Sequence, residues 1–131
     1  DNIILKREKI AKFYNKLFSH FSDKIKIQKT TPNQLSAWHL YVIIIDFKKL
    51  KLNRSKLIMK LYQRGIISQV HYIPTFYQPV FSNHKKNLLK NARYYYNNCL
   101  SLPIFYDLKP KQQKYVVNTI NYLIKKHKNK P

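Results

Sequence analysis

The stretch GIISQVHYIPTFYQP, Gly65 to Pro79, organises the reading of this chain, because it joins a helix stop, a strand pattern and a turn in one short run. Gly65 is the only glycine. It follows Leu57, Ile58, Leu61 and Tyr62, an apolar set at helical spacing, and so suits the left-handed residue that closes a helix. Beyond it the side chains alternate. Ile67, Gln69, His71 and Ile73 fall on one face of an extended segment, and Ile66, Ser68, Val70 and Tyr72 on the other. Pro74 has no N–H for a sheet ladder and biases Ile73 toward extended geometry, so the spacing predicts a strand over 66–73 that stops there. A strand end that delivers His71 and Tyr72 into a proline-bracketed aromatic loop is a suitable place for a ligand contact. The plainer assignment packs Tyr72 in the core and bonds His71 to a nearby carbonyl.

Upstream of that stretch, Asn53 is placed to cap a helix over 54–64. Ala37 to Phe47 (AWHLYVIIIDF) is apolar on both faces, as a central strand covered on each side requires. His39 within it reads as a hydrogen-bonded core histidine. Ile25 to Lys29 alternates briefly and suits an edge strand, ended by Thr30-Thr31-Pro32-Asn33. Ile3, Ile10, Phe13, Tyr14, Leu17, Phe18 and Phe21 recur at helical spacing, with Lys6, Lys9, Lys12 and Lys16 off the stripe. No N-cap precedes that helix, so the chain is expected to begin inside it.

Downstream, Pro74 to about Lys90 reads as loop. A short helix carrying Ala92, Tyr95, Tyr96 and Cys99 follows, broken at Leu102-Pro103, with Cys99 a buried thiol on its stripe. Pro110 opens a last helix through Val116, Val117, Ile120, Leu123 and Ile124, and Lys125 to Lys130 forms a frayed basic end. The order predicts an α+β domain, a small, mostly antiparallel sheet packed with helices.

Composition narrows the classes. At 131 residues the chain is one domain, and 44% hydrophobic and 15% aromatic content argue against disorder. One cysteine excludes an internal disulfide and a zinc site built on several cysteines. No apolar run approaches bilayer length, so no membrane partner is expected and a cytoplasmic location follows by default. A net charge of +21, from 26 basic and five acidic residues, ordinarily points to a polyanion. Here the lysines are scattered and accompanied by many Asn, Ile and Tyr residues, all with A/T-rich codons. Base composition accounts for the charge, and nucleic acid is expected to bind only nonspecifically. Tyr94-Tyr95-Tyr96 resembles a stacking platform, yet three consecutive helical residues cannot share a face. Asp46 and Asp107 are too isolated to argue for an acid/base pair.

Ser36-Ala-Trp-His-Leu-Tyr-Val-Ile43, Arg64-Gly-Ile66, Gln69-Val-His-Tyr-Ile-Pro74, Gln78-Pro79, Asn91-Ala92 and Leu100-Ser-Leu-Pro103, in that order, resemble the C-terminal part of one family. It is the DegT/DnrJ/EryC1/StrS family of nucleotide-sugar aminotransferases, which use pyridoxal phosphate. GIISQVHYIPTFYQP is most similar to the branch that aminates a UDP-linked 4-keto-6-deoxy sugar on the route to pseudaminic acid. Lys6-Arg-Glu-Lys-Ile-Ala-Lys-Phe-Tyr14 resembles the helix that links the family's large and small domains.

The resemblance implies a fold-type I small domain: a linking helix over 1–22, an α+β body over 23–126 and a basic tail over 127–131. It implies a large N-terminal domain carrying the Schiff-base lysine, the acidic partner of the pyridine nitrogen and the phosphate cradle. None of those motifs occurs here. The chain is therefore expected to lack catalytic, cofactor-binding and metal-binding residues of its own, and to be inactive and without pyridoxal phosphate when alone. In a complete, homodimeric enzyme, His71, Tyr72 and Pro74 would contact the UDP-sugar, and glutamate would donate the amino group. The large domain would cover an apolar face made by Ile3, Ile10, Phe13 and Leu17. The chain departs from the family's pattern in three places. Phe76 stands where many members have His, the segment Ser82 to Lys90 is short, and Arg93 replaces an acid, reversing the charge there. The alternatives are a small basic nucleic-acid-binding module, for which no RNP-like, helix-turn-helix or zinc pattern is present, and a gene remnant without function.

Overall fold

The structure, a computed structural model, describes residues 2–21, 24–31, 34–81 and 89–128. Its helices are α1 (Asn2–Phe18), α2 (Arg54–Tyr62), α3 (Lys90–Asn98) and α4 (Pro110–Lys128), and its strands are β1 (Ile25–Ile27), β2 (Tyr41–Ile45) and β3 (Cys99–Leu102). The strands form one antiparallel sheet in the order β1-β2-β3, with Ile43 opposite both Ile27 and Leu100. Helix α1 packs on α4 and β1, α2 on α4, and α3 on β2. The expected α+β class and antiparallel sheet are what the chain forms.

Local chemistry explains most element ends. The Asn53 side-chain oxygen accepts the Lys56 N–H at 2.9 Å, satisfying one of the free donors at the start of α2. At the other end Gly65 adopts φ +71°, its N–H bonds the Tyr62 carbonyl, and the Ile66 N–H reaches back to Leu61. That pair of bonds is the Schellman closure, and both Leu61 and Ile66 lie in the core. Pro110 opens α4 as expected, but the helix runs on to Lys128, so Lys125–Lys128 are helical rather than frayed. Successive backbone bonds carry the turn onward there, and His127 is half-buried, with its Nε2 2.6 Å from the Lys51 carbonyl oxygen.

The core gathers where the sheet's Tyr41, Ile43 and Ile45 meet α1 and α4. Tyr14, Phe18, Trp38 and Tyr41 form an aromatic cluster, with the rings of Tyr14 and Tyr41 stacked at 4.7 Å. Their hydroxyls are satisfied: Tyr14 donates to the Pro103 carbonyl at 3.1 Å, and Tyr41 to the Asn15 side chain at 2.7 Å. Strand β2 is central, as its two-sided apolar pattern requires, although shorter than 37–47. His39 falls before it and is exposed, so it is not a core histidine. Trp38, with φ +46°, turns the chain and takes the buried place instead.

Two elements differ from expectation, and they differ together. The run 66–73 is not a strand: it makes a single antiparallel bridge, Gln69 to Ser101. Extending that ladder in one direction would pair Ile67 with Pro103, which has no N–H to donate. The third strand is instead Cys99–Leu102, so the helix expected through Cys99 ends at Asn98. All four residues of β3 are buried, which removes the alternation that marks a half-buried strand. Cys99 is buried as expected, but Ala92 and Tyr95 are exposed and share no buried stripe with it.

The exposed face expected on α1 is also revised. Ile10 is only 4% exposed, because α4 of the same chain covers it and Gln113 donates from Nε2 to the Ile10 carbonyl at 2.8 Å. Phe13 and Leu17 are half-buried, while Ile3 and Leu5 remain exposed.

Candidate functional site

The segment after Gly65 leaves the helix layer, touches β3 at Gln69 and runs out through two short 3₁₀ turns, Thr75–Tyr77 and Pro79–Phe81. Its first residues keep the expected alternation: Ile66 and Ser68 point inward, Ile67 and Gln69 outward. The backbone is pinned to β3 by reciprocal bonds, Ser101 N–H to the Gln69 carbonyl at 2.8 Å and Gln69 N–H to the Ser101 carbonyl at 3.2 Å. This anchor sets His71. Its Nδ1 lies 2.9 Å from the Ser101 hydroxyl oxygen, so its partner is a hydroxyl rather than a carbonyl.

Tyr72 is 70% exposed and packs nearly perpendicular to the His71 ring, with centroids 4.7 Å apart, in place of the core position that the plainer assignment gave it. Pro74 is half-buried, and its carbonyl closes the first 3₁₀ turn by accepting the Tyr77 N–H at 2.9 Å. Phe76 is buried, so at this departure from the family's pattern an aromatic ring packs inward. The structure therefore gathers His71, Tyr72 and Pro74 on one surface loop, with Ser101 beneath it. Ser101 was not singled out from the sequence. Its sequence signal is a hydroxyl inside the apolar run Leu100-Ser-Leu-Pro103, a run whose continuous burial hides the period of a strand.

The loop is electrically quiet. From Gly65 to Phe81 there is no Lys, Arg, Asp or Glu, in a chain where 24% of residues are charged. It also displays apolar groups: Ile67, Tyr72, Ile73 and Val80 are each more than half exposed. Beside it lies a groove of about 440 Å³, with Ile67, Pro103, Ile104, Phe105 and Tyr115 among its walls. This site contains neither an amine to form a Schiff base nor a carboxylate to face a pyridine nitrogen. By themselves its residues do not fit pyridoxal phosphate.

A second cavity, of about 580 Å³, lies near the start of α2 and includes Asp46, Lys48, Arg54 and Tyr94. Asp46 is occupied there by the Lys49 N–H at 2.9 Å. The tyrosine run is engaged by the chain's own cations: Lys26 sits over the Tyr94 ring, and Arg54 over the Tyr96 ring while bonding the Tyr96 carbonyl. Cys99 has its thiol pushed up by burial, with the Arg54 charge acting in the opposite direction, which keeps it a poor nucleophile. Arg93, which stands in place of an acid, has a buried Nε without a partner among the described residues. Among those residues no cluster of three His, Cys, Asp or Glu could hold a metal, and no helix is long and apolar enough to cross a membrane.

Comparison with known proteins gives the family and the fold. The chain is 37% identical over 136 residues to the UDP-4-amino-4,6-dideoxy-N-acetyl-beta-L-altrosamine transaminase of Campylobacter jejuni, covering 98% of this chain and 34% of that protein. It is 30% identical over 133 residues to the spore coat polysaccharide biosynthesis protein SpsC of Bacillus subtilis, covering 95% of this chain and 33% of SpsC. Among solved structures, Helicobacter pylori PseC, an aminotransferase involved in the biosynthesis of pseudoaminic acid, matches with TM-score 0.81 at 23% identity. That match spans 94% of this chain and 33% of PseC, and it speaks to the fold. The chain thus spans about a third of the length of these relatives. The family of DegT/DnrJ/EryC1/StrS aminotransferases matches residues 1–121, and this chain belongs to it.

Proposed function

We propose that this chain forms the small-domain wall of a cytoplasmic sugar aminotransferase, with 1–22 as the linking helix, 23–126 as the domain body and 127–131 as a basic tail. The complete enzyme would exchange the keto oxygen of a UDP-linked 4-keto-6-deoxy sugar for an amino group taken from glutamate, for surface-glycan synthesis. Pyridoxal phosphate, held by a large domain absent from this sequence, would carry the amino group between the two substrates. This chain's part is to bind and enclose. His71 presents a ring nitrogen, Tyr72 an exposed ring for the sugar or its nucleotide, and Pro74 stiffens the loop that holds them.

The observation that carries this reading is the charge-free, apolar loop in a chain of net charge +21. Ile67, Tyr72, Ile73 and Val80 stand in solvent, and each buried side chain of this kind is worth about 1.5–3 kcal/mol. A large domain, and a second subunit of the homodimer, would cover them.

The test joins this chain to the remaining N-terminal part of the Campylobacter transaminase, about two thirds of that protein. The chimaera should aminate the UDP-keto sugar with glutamate as donor. His71→Ala and Tyr72→Ala should each lower kcat/KM at least about tenfold, a loss of roughly 1.4 kcal/mol in transition-state binding. A folded, cofactor-loaded chimaera without sugar transamination would overturn the reading. Wild-type rates in both variants would remove these residues from the site.

A further inference from the structure

We infer that Ser101 fixes the tautomer of His71, so that the imidazole shows its Nε2–H outward as a hydrogen-bond donor. Ser101 is 5% exposed, and its strand is bonded on both sides, to Val42 of β2 and to Gln69 of the loop. Its hydroxyl therefore has little freedom, and its proton needs an acceptor. Among the described residues its side chain has one partner, His71 Nδ1 at 2.9 Å.

Two arrangements of that contact are possible. If Nδ1 carried a proton, it would donate to the Ser101 oxygen, and the hydroxyl's own proton would be left buried without an acceptor. Such an orphan costs about 1–3 kcal/mol. If Nδ1 is bare, the hydroxyl donates to it and both groups are satisfied. In a neutral imidazole the ring proton then sits on Nε2. No partner occupies Nε2 among the described residues, and no carboxylate occurs between Gly65 and Phe81 to accept from it. The exposed Tyr72 ring lies 4.7 Å from the His71 ring, centre to centre, on the same loop.

The ligand class follows from the donor. Nε2–H suits an acceptor oxygen, such as a sugar hydroxyl or carbonyl oxygen. Ser101 touches no ligand and acts through His71, so it is a positioning residue. The tautomer stands on the geometry alone. Its consequence for substrate rests on the proposed aminotransferase reading.

Long-range ¹H–¹⁵N correlation spectra of the labelled 131-residue chain read the tautomer directly, with His71→Gln identifying the His71 signals. Wild-type protein should show a single Nε2–H form. Ser101→Thr, which keeps the hydroxyl, should preserve it, and Ser101→Ala should give an average of both forms. An Nδ1–H form or a mixture in the wild type would overturn the inference, and so would an unchanged spectrum in Ser101→Ala. If Ser101→Ala does not fold, the wild-type and Ser101→Thr spectra still decide. In the chimaera, Ser101→Ala should raise KM for the sugar nucleotide about threefold or more, with Ser101→Thr restoring it. A locked tautomer with unchanged KM would refute the substrate contact while leaving the tautomer assignment intact.

Discussion

At the scale of residues, two chemistries are open to direct measurement. Gly65 has φ +71° and open space where a Cβ would stand, so substitution there meets only backbone strain. Gly65→Ala should cost about 1–2 kcal/mol, and Gly65→Asn less, because Asn tolerates the left-handed region. Urea midpoints with an unchanged slope check this. The second case is the buried phenol pair. Burial pushes the Tyr14 and Tyr41 hydroxyls far above their usual ionisation range, and for Tyr41 the neighbouring Tyr14 adds to it. A raised pKa in the folded state means stability intact below the unfolded value, near pH 10, and lost above it as the unfolded chain sheds protons that the folded chain keeps. Each phenol should contribute a fall of about 1.4 kcal/mol per pH unit in that window. Tyr14→Phe should remove one share of this slope, at a cost of about 1 kcal/mol for its hydrogen bond to Pro103. An alkaline denaturation series in which both proteins lose stability at the same rate would contradict the assignment.

At the scale of elements, the junction of α1 with α4 separates the chain's own core from surface left for a partner. Ile10 is covered by α4, with Gln113 bonded to its carbonyl, whereas Ile3 on the same helix is 56% exposed. Ile10→Lys should therefore cost several kcal/mol and unfold the domain, because it buries an unpaired charge. Ile3→Lys should stay within about 0.5 kcal/mol of wild type, as surface changes usually do. Thermal melts of the two variants, side by side, make the comparison. Equal melting temperatures would mean that α1 is not seated on α4.

At the scale of the whole molecule, the loop from Gly65 to Phe81 stands apart from an otherwise cationic chain. Cations stand on the helices, on β1 at Lys26 and in the turns, while the loop from Gly65 to Phe81 has none and displays Ile67, Tyr72, Ile73 and Val80. Among the described residues, Lys12 and Glu8 form an ion pair at 2.9 Å, which leaves the net charge of +21 unchanged. Binding to DNA should accordingly be independent of sequence and should fall steeply between about 50 and 200 mM salt, since counterion release supplies it. Titrations with two unrelated duplexes across that range test this. Binding that resists salt or prefers one sequence would favour a nucleic-acid module.

What the sequence determined by itself were the features set by local backbone chemistry and by period. Asn53 caps α2 and Gly65 ends it, because a side-chain acceptor and a left-handed residue act within one turn of chain. Pro110 starts α4, and the buried stripes of α1 and α4 follow helical spacing. The central place of β2 was legible because residues on both of its faces are apolar. The family resemblance was legible because it rests on the order of short motifs. Tertiary structure decided which short runs pair and what lies over each side chain. Cys99–Leu102 is a strand because β2 offers it an edge, although its uniformly buried residues carry no period. Residues 66–73 alternate like a strand yet bridge once, and toward Ile67 the ladder runs into Pro103. Ile10 is core because α4 returns over it, and His71 meets Ser101 because Gln69 bridges to β3. Those contacts join residues 30 to 103 positions apart, and no local pattern in the chain records them.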